Sequence, residues 1–245
     1  MLLDAMMQAY ISLKNVSVDY PILGQPERML RHALMNSLIG GSINTDKKLK
    51  VNALSNISFD IYPGQTIGLI GPNGSGKSTL LGVLAGVFKP TKGQIEMNAR
   101  VTSLLTLGMG MFNEATGFEN ANIMATVQKI SKNRRKQYIH EVAELSGLQS
   151  YMNMPLRTYS SGMRLRLAFA LAILVDSDVI VLDEIIAVAD NDFKDFMLKC
   201  IVDFTNKQKA LIVASHTQSL IDSLCSHALH LEKGHLVKQA QLATS

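Results

Sequence analysis

A chain of 245 residues, 47% of them hydrophobic and 18% charged, holds enough apolar material for one substantial α/β domain, or one domain carrying a smaller lobe. Its net charge of +4 and pI near 9.0 are only mildly basic, so nucleic acid, anionic lipid or no charged partner fits equally well. Cys200 and Cys225 are the only cysteines and are too far apart for a CxxC motif, which argues against a disulfide framework or zinc site and for reduced thiols in a cytoplasmic protein.

The start, "MLLDAMMQAY", has neither a basic n-region nor a cleavage pattern, so no signal peptide is expected. "AYISLKNVSVDYPI" alternates apolar and polar residues up to a proline and predicts a first strand over roughly residues 10 to 19. Residues 21–53 are less regular. Leu30, Leu34 and Leu38 lie at helical spacing, a Gly, Ser and Lys-rich connector follows, and five basic against two acidic residues give the segment +3. It reads either as a helix capping the domain with a solvated loop or as an element facing a partner or membrane.

"ALSNISFDIYPGQTIGLIGPNG" predicts two more strands separated by the turn "YPGQ". "KSTLLGVLAGVFKP" carries a helical apolar stripe expected to end near Pro90. From about 117 to 157 strand character disappears, and "ENANIMATVQKISKNRRKQYIHEVAELSGL" predicts helices, the last closed by Gly147. "DVIVLDEI" and "ALIVASHT" are short Val, Ile and Leu runs typical of strands buried on both faces of a parallel sheet. The most apolar region, "LAFALAILVDSDVIVLDEII", contains Asp176, Asp178, Asp183 and Glu184, which a bilayer core would exclude. The expectation is a soluble or peripheral protein that reaches any membrane through a partner.

"GPNGSGKST", Gly71 to Thr79, matches G-x-x-x-x-G-K-[ST] between a strand and a helix. The glycines let backbone N–H groups turn inward around phosphate, and the helix N-terminus adds positive potential. Gly71, Pro72, Asn73, Gly74, Ser75, Gly76, Lys77, Ser78 and Thr79 are therefore the candidate ATP-binding residues. Lys77 is expected to reach the β- and γ-phosphates, and Ser78 to ligate Mg²⁺. The apolar run "VIVLDE" delivers Asp183 to a strand end, where it can hold Mg²⁺ through water; Glu184 follows, placed to polarise the attacking water. "TYSSGMRLRLAFA" is a small, hydroxyl-bearing turn leading into a helix, able to offer Ser160, Ser161 and the N–H groups of Gly162 and Met163 to a phosphate. Alone it would read as an ordinary N-cap.

In this order and context, "YSSGM" resembles the signature motif of ABC-type ATPases, usually LSGGQ, and the resemblance extends along nearly the whole chain. It implies a P-loop NTPase (RecA-like) α/β core with an antiparallel β subdomain and an inserted α-helical subdomain. The core is expected at about 9–107 and 166–237, the helical subdomain at about 108–165, and a family-type insert at 21–53. "AVAD" resembles the D-loop, with Asp190 as its acid. His216, at the end of "ALIVAS", matches the switch histidine, and Tyr20 the aromatic that stacks on adenine. The long insert, "YSSGM" followed by "RLAFA", and "LGMGMFNEATGFEN" are similar to the ATP-binding subunits of polysaccharide exporters, which move O-antigen, capsule or teichoic-acid chains.

The resemblance implies ATP hydrolysis with Mg²⁺ in a homodimer, the signature residues acting in trans, and coupling to a transmembrane permease at the cytoplasmic face of the membrane. No nucleic-acid partner is expected, and polysaccharide is met only indirectly. The helical subdomain is the expected coupling surface, with a groove around 104–120 that includes Met109 and Phe112. Some exporters of this group add a carbohydrate-binding domain after the ATPase, which is not expected here. Two departures stand out: Ala189 replaces a usual glycine in the D-loop, and "LLTLGMGMFNEATG" lacks the glutamine most ABC ATPases carry at this joint, with Thr106 before the LG pair and Glu114 further along. The competing readings are another transporter subtype and a soluble ABC ATPase acting on ribosomes or nucleic acid.

Overall fold

The computed structural model describes residues 8–21, 50–103, 111–183, 191–215 and 218–242. Its central sheet is built from the short aliphatic runs. Strands β3 (Thr66–Ile70), β5 (Val101–Ser103), β6 (Val179–Asp183), β7 (Ala210–Ala214), β8 (His227–Glu232) and β9 (His235–Gln241) form one six-stranded sheet in the order β5-β6-β7-β3-β8-β9. All neighbours are parallel except β8 and β9.

Side chains alternate across a strand, so each of these runs feeds two cores at once. Val179 and Val181 of β6 join a cluster with Ile212, Leu69 and helix α1 (Lys77–Leu84), whereas Ile180 and Leu182 join a second cluster on the other face. Burial on both faces is what allows an uninterrupted apolar sequence in a soluble strand.

The first core continues into a smaller antiparallel sheet of order β2-β1-β4, made by β1 (Ile11–Pro21), β2 (Lys50–Ile61) and β4 (Lys92–Met97). Ile11, Leu13, Val16, Val18, Leu54 and Ile57 point inward from it. Lys50 to Ala53, which sequence reading puts at the end of the connector, are strand, because Tyr20 pairs with Val51 and Asp19 with Asn52.

The second core is capped by helices. α2 (Gly117–Val127) and α3 (Lys132–Ser146) pack with α4 (Ser161–Ile173), and two 3-10 turns at 149–151 and 156–158 join α3 to α4. α2 opens on a capping box: Thr116 Oγ1 accepts from Glu119 N at 3.1 Å, and the Glu119 carboxylate accepts from Thr116 N at 2.8 Å. α3 closes at Gly147, φ +67. Tyr138 is fully buried and donates to Leu171 O at 2.8 Å, tying α3 to α4. Burial also raises its phenol pKa well above the ordinary value. The 165/166 boundary falls inside α4, whose Leu167, Phe169 and Leu171 belong to the core shared with α3 and with α5 (Asn191–Asn206). A seven-residue helix, α6 (Gln218–Leu224), lies between β7 and β8.

One expectation is corrected. The helix after the phosphate loop stops at Leu84 rather than near Pro90. Val87 N donates to Gly82 O at 2.8 Å and Gly86 N to Val83 O at 3.0 Å, with Gly86 at φ +71. That is a Schellman ending: a glycine in the left-handed region turns the chain before the proline is reached.

Candidate nucleotide site

The loop after β3 owes its shape to three glycines. Gly74 and Gly76 have φ of +77 and +106. A Cβ on Gly76 would sit 2.7 Å from Ala53 O, and one on Gly71 would meet Leu231 O at 2.2 Å. Side chains at these points would push the loop off its neighbours. α1 begins on Gly76 with no side-chain cap, which leaves its first N–H groups available to an anion.

Lys77 is 7% exposed, and its ammonium curls back over the loop, donating to Gly71 O at 2.7 Å and Pro72 O at 3.2 Å. Ser78 Oγ donates to Asp183 Oδ2 at 3.2 Å, across the gap between α1 and the end of β6. A hydroxyl and a carboxylate so placed form an oxygen set suited to a hard divalent cation.

A cavity of about 400 Å³ opens over this loop. It is lined by Asn73, Gly74, Gly76, Lys77, Ser78 and Thr79 of the loop and first helical turn, by Asp183, and by Tyr20, Val51, Asn52 and Ala53 of the antiparallel sheet. The Tyr20 ring is met edge-on by Phe88, with centroids 5.9 Å apart and planes at 85°. Asn52 is held by Asp19, donating Nδ2 to Oδ1 at 2.9 Å, and Ser55 Oγ donates to its amide oxygen.

The structure therefore gathers Tyr20, residues 73–79 except Ser75, and Asp183 around one space. Gly71 and Pro72 contribute carbonyls to Lys77, and Ser75 is buried beneath the loop. Ser160, Ser161, Gly162 and Met163 do not line the cavity: Ser160 caps α4 by accepting from Met163 N at 3.2 Å, and the other three form its first turn. Glu184, Asp190, His216, Thr106, Met109 and Ala189, like the helix read at Leu30, Leu34 and Leu38, lie outside the described residues. Glu114 is paired with Arg157 at 2.5 Å on the surface.

Sequence reading missed Val51, Asn52, Ala53 and Phe88 as neighbours of the site. The first three follow only from the pairing of β1 with β2 across a long intervening segment. Phe88 follows from the early stop of α1.

The ABC transporter family matches residues 54–187 of the chain. The O-antigen export system ATP-binding protein RfbE of Yersinia enterocolitica is 36% identical over 229 residues, covering 93% of this chain and 96% of that protein. The teichoic acids export ATP-binding protein TagH of Bacillus cereus is 32% identical over 226 residues, covering 92% of this chain and 40% of the longer relative. Among solved structures, a dimeric bacterial ABC transporter cassette superposes with a TM-score of 0.76 at 19% identity, over 96% of this chain and 100% of that one. With this phosphate loop, this sheet order and these relatives, the chain belongs to the ABC transporter family, as one of its ATP-hydrolysing cassettes.

Proposed function

We propose that this chain is the ATPase subunit of an exporter that drives a polysaccharide or lipid-linked glycan, such as O-antigen, capsule or teichoic acid, across the cytoplasmic membrane. The observation that carries the reading is the match, over nearly the full length of both chains, to the O-antigen export subunit of Yersinia enterocolitica. Among the described residues no helix is long and apolar enough to cross a membrane, and in this reading the path across it belongs to a separate permease.

In this reading the N-terminus of α1 and the turned-in loop amides hold the phosphates. Lys77 exchanges its two carbonyl partners for phosphate oxygens, and Tyr20 meets the base. Ser78 and Asp183 would hold Mg²⁺, which supplies charge neutralisation on the phosphates when bound. Glu184 polarises the attacking water, His216 contacts the γ-phosphate, and Asp190 faces the second subunit. Ser160, Ser161, Gly162 and Met163 stand outside their own chain's cavity, which supports their acting on the nucleotide of a second copy.

Backbone hydrogen bonds tie the 112–118 segment to 151–157, through Phe118 N to Met152 O, Leu156 N to Ala115 O and Arg157 N to Asn113 O. Phe112, Phe118, Tyr151 and Met154 remain exposed on these two segments. Exposed aromatic and methionine side chains of this kind suit an adaptable apolar contact, which supports permease docking here.

Glu184→Gln is expected to bind ATP, shift from monomer to dimer on sizing with ATP present, and release no phosphate. Near-wild-type turnover would remove Glu184 from the role of base. In cells lacking the chain, lipid-linked polymer is expected to accumulate on the cytoplasmic side; unchanged surface glycan would overturn the cargo.

A further inference from the structure

The β8–β9 hairpin turns through only two residues, Lys233 at φ +48 and Gly234 at φ +80, between Glu232 and His235, which pair across the ladder. Two left-handed residues in such a loop make the turn whose twist suits adjoining strands. With Glu232 and His235 carrying the ladder, the backbone amide and carbonyl of Gly234 are left for partners outside the hairpin.

Those partners belong to the two segments that line the nucleotide cavity, the phosphate loop and β2, although Ser75 and Ser55 do not themselves line it. Gly234 N donates to Ser75 O, in the phosphate loop, at 2.9 Å; Ser55 N, in β2, donates to Gly234 O at 2.8 Å. The fit is close on both sides. A Cβ on Gly234 would lie 2.7 Å from Ala53 O and 3.3 Å from Leu54 Cα. A Cβ on Gly76 would meet the same Ala53 carbonyl at 2.7 Å and stand 3.6 Å from Gly234 Cα. Ala53 lines the cavity, and two residues before it Val51 pairs with Tyr20.

The phosphate loop belongs to the six-stranded sheet and Tyr20 to the three-stranded one. The apolar cluster between the sheets holds them together without fixing a distance, because apolar burial is not directional. Hydrogen bonds of set length do fix one.

We propose that Gly234 is a positioning residue for nucleotide binding: it sets the spacing between the phosphate loop and the β1–β2 wall, so that one nucleotide meets both. The inference rests on the reading of this cavity as the nucleotide site.

Calorimetric titration of the full chain with ATP and with inorganic triphosphate, which has no base, tests it. Gly234→Ala and Gly234→Asn are both expected to bind ATP roughly tenfold or more weakly, with triphosphate affinity changed by less than about threefold. Asparagine tolerates a left-handed φ, so its failure to rescue assigns the loss to the Cβ contact, and it supplies a second variant should alanine fold poorly. Gly147→Ala is the control: its φ is +67, but a Cβ there meets nothing within 4 Å. That variant should lose heat stability while binding both ligands as the wild type does. ATP affinity of Gly234→Ala within about twofold of wild type would overturn the proposal, as would equal loss for both ligands or equal loss in Gly147→Ala. Retention of ATP binding by Lys77→Met would instead show that the cavity is not the nucleotide site, and would remove the premise.

Discussion

Lys77 is a buried cation whose described partners are two carbonyl oxygens of its own loop. A charge withdrawn from water and held by neutral dipoles alone gives little net stability to the fold. Under the proposed function an anion replaces those carbonyls when nucleotide binds. Lys77→Met, which keeps the stem and removes the charge, is therefore expected to abolish measurable ATP binding while the unfolding temperature without nucleotide stays equal or rises. A clear fall in that temperature, read by differential scanning fluorimetry, would mean that the ammonium supports the fold itself.

Elements in the helical region are fixed by their ends as much as by their faces. The capping box at Thr116 satisfies two backbone or side-chain partnerships at once, and Thr116→Ala is expected to cost about 1 kcal/mol in denaturant unfolding. The Glu119 carboxylate accepts from the Thr116 amide, and that bond first, with the Thr116 side chain second, lowers its pKa below the ordinary 4.5. A depressed folded pKa contributes stability above the unfolded value and loses it as pH falls through the folded one. The deficit of Glu119→Ala should thus be full at neutral pH and shrink below about pH 4.5 as the carboxylate of the wild type takes up its proton. An equal deficit at pH 7 and pH 3 would place the effect in helix propensity instead.

At the same scale, the strands β3, β6 and β7 and the phosphate loop were legible because their signals are local. Four or five consecutive aliphatic residues, or nine residues of fixed spacing, carry their own interpretation. The end of α1 was misread because Gly86 and Pro90 are both stop signals, and the nearer one acts first. The wall made by Val51, Asn52 and Ala53 was not legible at all: it depends on a register between β1 and β2 that no short window contains. The tie from Gly234 to Ser75 has the same character, since a Lys-Gly turn announces a hairpin and nothing about what the hairpin touches.

In the whole molecule, two cores share one sheet, and the buried thiol of Cys225 lies in the one beneath the helices. Burial pushes its pKa up to about 12, with a smaller contribution from Asp222, and Cys200, half-buried, is raised as well by burial and Asp203. Both thiols keep their protons at neutral pH and are poor nucleophiles there. Cys225 should resist a disulfide reagent at pH 8 until the chain unfolds, whereas Cys200 reacts slowly in the native state. Because the folded thiol of Cys225 is raised above its ordinary 9.0, its linkage to stability is neutral below that value and unfavourable as pH climbs from there toward about 12. Rapid native labelling of both cysteines would contradict the packing described for this core.

The bend after α1 has a practical consequence for anyone cutting or extending this chain. Residues 86–88 are exposed, follow a glycine and precede a proline, so they look like a natural place to splice in a tag, a fluorophore or a protease site. Yet Phe88 N donates to Gly82 O, its ring covers Gly82, and its edge props Tyr20. The bend works as a ruler three residues long. One extra residue there would leave the helix and the strand standing and carry the prop away from the ring it supports.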